Sequence, residues 1–129
     1  RCCCGNEGCV ESIGSGARLV RHVKETYPGE DVANVFTAHP DDPFLDAFLE
    51  VLAIPIATEV NLLNPAHIII GGGVAAMQGF PREKLEKNVL HHVRRPVPFE
   101  TLRFLYADDN PQASVLGAAY YARRYIHSA

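Results

Sequence analysis

The sequence predicts an α/β fold built on parallel strands. Two observations carry this reading. The run His67-Ile68-Ile69-Ile70 is short, β-branched and wholly apolar, as a parallel strand buried on both faces would be, and Leu102 to Tyr106 reads as a second strand. Helical apolar spacing fills the segments before, between and after them, and such alternation gives a parallel layer with right-handed crossovers. Two strands make too small a sheet to stand alone, so the chain reads as part of a larger one.

The elements follow in order. Residues 1–14 are rich in Cys, Gly and Asn and read as a loop. Ser15 is a candidate N-cap for a helix whose Leu19, Val20, Val23 and Tyr27 share one face, with Pro28-Gly29 as its stop. Asp31 to Ala38 reads as a short helical stretch. Asp42-Pro43 then supplies an N-cap with proline at the first helical position. The long helix that follows has its stripe at Phe44, Leu45, Phe48, Leu49, Leu52, Ile56, Val60 and Leu63, and ends at Asn64-Pro65. Pro55 inside it removes a donor and crowds the preceding turn, at about 3 kcal/mol in a free helix, which predicts a kink. Gly71-Gly72-Gly73 ends the first strand. Arg82 to Val93 is a charged amphipathic helix, Pro96 and Pro98 break the chain, and Gln112 to Ile126 closes it as a helix in which Gly117-Ala118-Ala119 allows close packing.

Composition limits the function. The chain has 129 residues, 47% of them hydrophobic and 21% charged, with a formal net charge of −3. No apolar run reaches the roughly 18 residues of a membrane span, and the mildly acidic balance argues against nucleic acid. All four cysteines, Cys2, Cys3, Cys4 and Cys9, fall in the first nine residues. A disulfide-stapled secreted domain would spread them, so a reducing compartment, the cytoplasm, is expected. Because the chain starts at Arg1 directly before this cluster, it reads as cut from something longer.

Three groups could carry chemistry. Cys2, Cys4 and Cys9 with Gly5 and Gly8 spell CxCGxxGC, in which two glycines let a tight loop gather three thiolates. Zinc takes four ligands, so a fourth must come from elsewhere, and the competing reading is a reduced loop without metal. His22 could close the site, but a packed or solvated role suits its place on a helix better. Glu11, two residues beyond Cys9, is either a polyol-binding carboxylate held by the knuckle or an ordinary first-turn glutamate. Gly71, Gly72 and Gly73 let a backbone approach a nucleotide or phosphate, or form a structural turn. Gly71, Gly73 and Ala76 also fit GxGxxA, but the acidic partner, Asp108, lies too far along for a dinucleotide fingerprint. His91-His92 with Arg94-Arg95 reads as a solvated basic face, and Asp108-Asp109-Asn110-Pro111 as a loop and helix cap.

CCCGNEGCVE at Cys2 to Glu11 resembles the CxCGxxGCxE pattern of the ROK family of repressors and sugar kinases. The likeness continues through Ser15-Gly16, NLLNPAHIIIGGGV from Asn61 to Val74, and LGAAYYA from Leu116 to Ala122. FPREKL at Phe80 to Leu85, RRPVP at Arg94 to Pro98 and RFLYA at Arg103 to Ala107 resemble the D-allose kinase branch. The resemblance implies the C-terminal part of an actin-like, ribonuclease H-like sugar-kinase lobe. Residues 1–14 would form the zinc knuckle and 15–129 an α/β lobe with an incomplete sheet.

It further implies zinc on Cys2, Cys4 and Cys9, a sugar contact at Glu11, and Gly71, Gly72 and Gly73 against the nucleotide. The family's fourth zinc ligand is a histidine upstream, in an ExGH motif that this sequence does not contain. Nor does it contain the DxGxT phosphate loop or the catalytic aspartate. A complete protein would be a homodimer that transfers phosphate from magnesium ATP to a hexose, D-allose among the candidates, at the 6-hydroxyl. This chain alone should be inactive. The rival expectation is the effector lobe of a repressor. A small zinc module for protein contacts is a third, which leaves Glu11 and the glycine turn without a role.

Overall fold

A computed structural model describes residues 1–107, 110 and 112–126. The order is α1 (Glu11–Gly14), α2 (Gly16–Thr26), a 3-10 turn (Val32–Asn34), α3 (Val35–Ala38), α4 (Pro43–Leu63), β1 (His67–Ile70), α5 (Arg82–His92), β2 (Arg103–Tyr106) and α6 (Ala113–Ile126). Glu11 to Gly14 thus form a helical turn where the sequence suggested loop. The caps follow side-chain chemistry. Ser15 Oγ accepts from Arg18 N at 3.3 Å, and Asp42 Oδ1 accepts from Phe44 N at 2.8 Å. Asn64 ends α4 in the left-handed region, with φ 48°. α4 continues across Pro55 to Leu63.

The two strands pair in parallel, His67 with Arg103 through Ile70 with Tyr106. Ile68, Ile70, Phe104 and Tyr106 turn toward the core. The opposite face is open. Ile69 is 73% exposed and Leu105 is 47% exposed, so β1 is half-exposed, contrary to the fully buried strand its composition suggested. An unbroken apolar run marks a strand that suits cover on both sides, and one side is covered here.

The core is mainly helical. Leu19 and Val23 of α2, Leu45, Phe48, Leu49, Ala53, Ala57 and Val60 of α4, and Leu85 and Val89 of α5 are buried together. Ala53 and Ala57 were not part of the predicted stripe, whereas its last member, Leu63, is 75% exposed. α4 and α5 form the principal helix pair. Polar ties reinforce it: Lys84 bonds Asp46, His92 Nε2 lies 2.5 Å from Glu50 Oε1, and Asn61 bridges His92 O and Arg94 N at 2.9 and 2.8 Å. His92 is therefore a link between α5 and α4 rather than part of a purely solvated face.

α6 departs from expectation. None of its residues is buried, and no atom lies within 4 Å of a Cβ placed on Gly117, so the Gly117-Ala118-Ala119 stretch is not packed closely.

Candidate functional site

The loop before α1 is held by its own backbone. Cys2 N donates to Asn6 O at 2.8 Å and Gly5 N to Cys2 O at 3.0 Å, with Gly5 and Gly8 at φ +90° and +73°. This folding brings the three predicted thiols together. The Sγ atoms of Cys2, Cys4 and Cys9 all lie within 4.8 Å of one another, and those of Cys4 and Cys9 are 3.6 Å apart. Thiolates bound to one zinc at about 2.3 Å in a tetrahedron stand about 3.8 Å apart, so the Cys4–Cys9 pair has that spacing and all three thiols lie near enough to share one ion. Soft sulfur donors suit zinc. Hydrogen bonds from the Cys4 backbone and then the Cys4 thiol hold the Cys2 thiol below its ordinary pKa, which favours the ligating thiolate. The same Cys4 side chain, followed by Cys2, pushes the Cys9 thiol up. Cys3 Sγ reaches Cys2 Sγ at 3.9 Å but stands outside the trio.

His22 is engaged elsewhere. Its Nε2 lies 2.5 Å from Asp42 Oδ2, and its ring stacks on Phe44 with centroids 3.8 Å apart. It serves packing, as its helical position suggested.

Glu11 opens α1 immediately after the knuckle. Its carboxylate is exposed and makes no hydrogen bond or ion pair among the described residues. It lines a small cavity of about 200 Å³.

A larger cleft, of about 530 Å³, opens at the carboxyl ends of the strands. Gly71, Gly72 and Gly73 form one wall, and Tyr106, Asn110 and Ser114 stand among the others. Gly72 has φ +105°, which favours glycine. Parallel α/β sheets bind ligands at this end of their strands. Tyr106 OH donates to the Arg82 carbonyl at 3.3 Å, and burial followed by the charge of Glu86 pushes its pKa up to about 12. Its hydroxyl proton is thus committed to α5, and the raised pKa keeps the group from acting as a base. Asn110 Oδ1 accepts from Gln112 N at 2.9 Å, a turn just before α6. Asp108, the acidic candidate of the dinucleotide reading, lies outside the described residues, as do Asp109 and Pro111.

The start of α2 lies near the residue after the glycine turn, since a Cβ on Gly16 would stand 3.4 Å from Val74 Cγ2, an ordinary contact distance. Sequence reasoning assigned neither Tyr106 nor Ser114 a role and gave Asn110 only that of a loop and cap residue. The available signal was position, because each follows or ends the second strand.

Fold and sites together define an α/β lobe that carries a cysteine cluster at one point and a glycine-walled cleft at its strand ends. Residues 1–125 match the ROK family, and the chain belongs to that family. An N-acetyl-D-glucosamine kinase of Aliivibrio fischeri is 29% identical over 129 residues, covering 92% of this chain and 40% of the relative. One from Haemophilus influenzae is 27% identical over 125 residues, with the same coverages. A glucokinase of Thermotoga maritima is 25% identical over 138 residues, covering 92% of this chain and 43% of the relative. Among solved structures, a ROK family transcriptional regulator, described as a homologue of the E. coli MLC protein, aligns with a TM-score of 0.72 at 25% identity. That match covers 92% of this chain and 34% of the regulator. The chain therefore spans about 40% of the length of the kinases it matches. The names of these kinases give no support to the D-allose branch in particular. No helix among the described residues is long and apolar enough to cross a membrane.

Proposed function

We propose that this chain is the C-terminal portion of an ATP-dependent hexose kinase. The supporting observation is the glycine-walled cleft at the ends of two parallel strands, in a family with sugar-kinase relatives. In this reading Gly71, Gly72 and Gly73 lie against the nucleotide, and their lack of side chains lets its phosphates approach the backbone. Cys2, Cys4 and Cys9 hold a structural zinc, which supplies rigidity to residues 1–9. That rigidity fixes Glu11, whose carboxylate accepts hydrogen bonds from sugar hydroxyls. The hexose is one phosphorylated at its 6-hydroxyl from magnesium ATP, with D-allose a candidate on the sequence likeness alone. The complete protein works as a cytoplasmic homodimer. The base that deprotonates the sugar lies outside these residues.

The purified chain tests this directly. With zinc and magnesium, ATP should shift the amide resonances of residues 71–73, while hexose-dependent ADP release stays at the no-protein level. Sugar-dependent turnover by the chain alone, or ATP binding that leaves those amides unmoved, overturns the assignment.

A second reading, the effector lobe of a ROK repressor, is favoured by the fold likeness to the regulator. Hexose binding that depends on Glu11, without ATP binding at the glycine turn, selects it.

A further inference from the structure

We propose that Cys4 and Cys9 close a reversible disulfide under mild oxidation, which makes the knuckle an oxidation site as well as a metal site. The disulfide rests on the thiol pair itself, whereas its effect on zinc and on Glu11 rests on the role proposed for the knuckle.

The sulfurs of Cys4 and Cys9 stand 3.6 Å apart, in van der Waals contact, and all four cysteines are free thiols. A disulfide needs about 2.0 Å, so little movement is left to make. The chain between them permits it. Gly5 and Gly8 already fold this segment back at φ +90° and +73°, and nothing lies within 4 Å of a Cβ on either, so the loop has room to adjust. Cys4 is exposed and Cys9 partly so, which lets a small oxidant reach the pair. The other close pair suits a bridge less well. Cys2 and Cys3 stand 3.9 Å apart, but adjacent residues would close a small, strained ring.

The chemistry balances with hydrogen peroxide as the oxidant. The exposed Cys4 thiolate attacks one peroxide oxygen, the O–O bond breaks, and hydroxide leaves behind a sulfenic acid. The Cys9 thiolate then attacks the Cys4 sulfur, so that the S–S bond forms, the S–O bond breaks and a second hydroxide departs. Protons from the two thiols turn both hydroxides into water. Two thiols thus lose two electrons and one peroxide gains them. Closing the pair takes two of the three thiolates away from zinc, and a site reduced to one cysteine releases it. The change also reaches Glu11. Cys9 O accepts from Ser12 N at 2.9 Å and from Ser12 Oγ at 2.6 Å, so the backbone of Cys9 anchors the helical turn that Glu11 opens. Disulfides in reducing compartments are typically transient and redox-sensing, and a cluster confined to residues 2–9 suits that role better than a structural staple.

The test treats the zinc-loaded chain with one equivalent of hydrogen peroxide and reads free thiols, zinc released to a chromogenic chelator, and the linkage. Thiols should fall from the four in the sequence to two. Glu7 lies between the paired cysteines, so a glutamate-specific protease separates Cys4 from Cys9 unless a disulfide joins them, and fragmentation of the joined peptides assigns the pair. A Cys4 to Cys9 link, free zinc raised about tenfold, and reversal of both by dithiothreitol are expected. Cys3→Ser should form the same link and release as much zinc. A link from Cys2 to Cys3 or from Cys9 to Cys2, sulfinic acid without a disulfide, or a zinc-loaded chain that keeps all its thiols overturns the proposal. A closed link with zinc still bound overturns the coupling to the metal. The Cys4 to Cys9 link in a chain that never takes up zinc retains the oxidation site and overturns the metal reading of the knuckle.

Discussion

His22 Nε2 lies 2.5 Å from Asp42 Oδ2, which joins the middle of α2 to the N-cap of α4. The same oxygen accepts from Tyr27 OH at 3.2 Å, while Oδ1 caps α4 through Phe44 N. Burial alone would raise the Asp42 pKa. The His22 and Phe44 bonds outweigh it and hold the carboxyl below its ordinary value. A depressed folded pKa contributes stability that is complete above the unfolded value of 3.8 and is lost as pH falls through the folded one. Asp42→Asn keeps a capping side chain but has no charge to titrate. Denaturant unfolding from about pH 5 down to about pH 2 should show the parent losing more stability than the variant.

The cysteine trio predicts an ordering among thiol variants. Cys4 contacts both other members, so Cys4→Ser should lower zinc retained after dialysis from about one to under about half an ion per chain. Cys3→Ser should retain as much as the parent. Elemental analysis with protein quantitation reads both.

The glycine turn separates fold from binding. Gly72 at φ +105° tolerates a side chain poorly, and Gly72→Ala should destabilise the chain by about 1 kcal/mol or more. Nothing lies within 4 Å of a Cβ on Gly73, and its backbone is unstrained for an L-residue. Gly73→Val should therefore leave the melting temperature unchanged and weaken ATP binding by crowding the approach to the backbone. Calorimetry and ATP titration measure the two effects.

Phe48 is 1% exposed at the centre of the helical core. Phe48→Ala should cost about 3 to 5 kcal/mol, a large share of the about 5 to 15 kcal/mol by which ordinary domains are stable. Far-UV circular dichroism in urea reads the loss.

Local chemistry was legible and long-range cover was not. Ser15, Asp42 and Asn64 act through their own turns, so their capping roles follow from neighbours in sequence. The thiol cluster was legible for the same reason, since Cys2 to Cys9 is closed by bonds within one loop. Ile69 and Leu63 were misjudged because apolar character states a preference for cover without saying what supplies it. Ala53 and Ala57 escaped notice because a small side chain adds little to an apolar stripe even where helices press together. The Arg18 and Phe44 contact joins separate helices, and no spacing within either one announces it.

The exposure of α6 bears on how the chain melts. A fourteen-residue helix without a buried side chain is held by its own backbone hydrogen bonds and by pairs along its surface, and lengths near 12 to 15 residues are marginal in water. Helicity from residues 113–126 should fade gradually on warming, ahead of the sharp transition in which α2, α4 and α5 unfold together. A single heating curve would then hold two signals, a sloping baseline from one helix and a cooperative step from three.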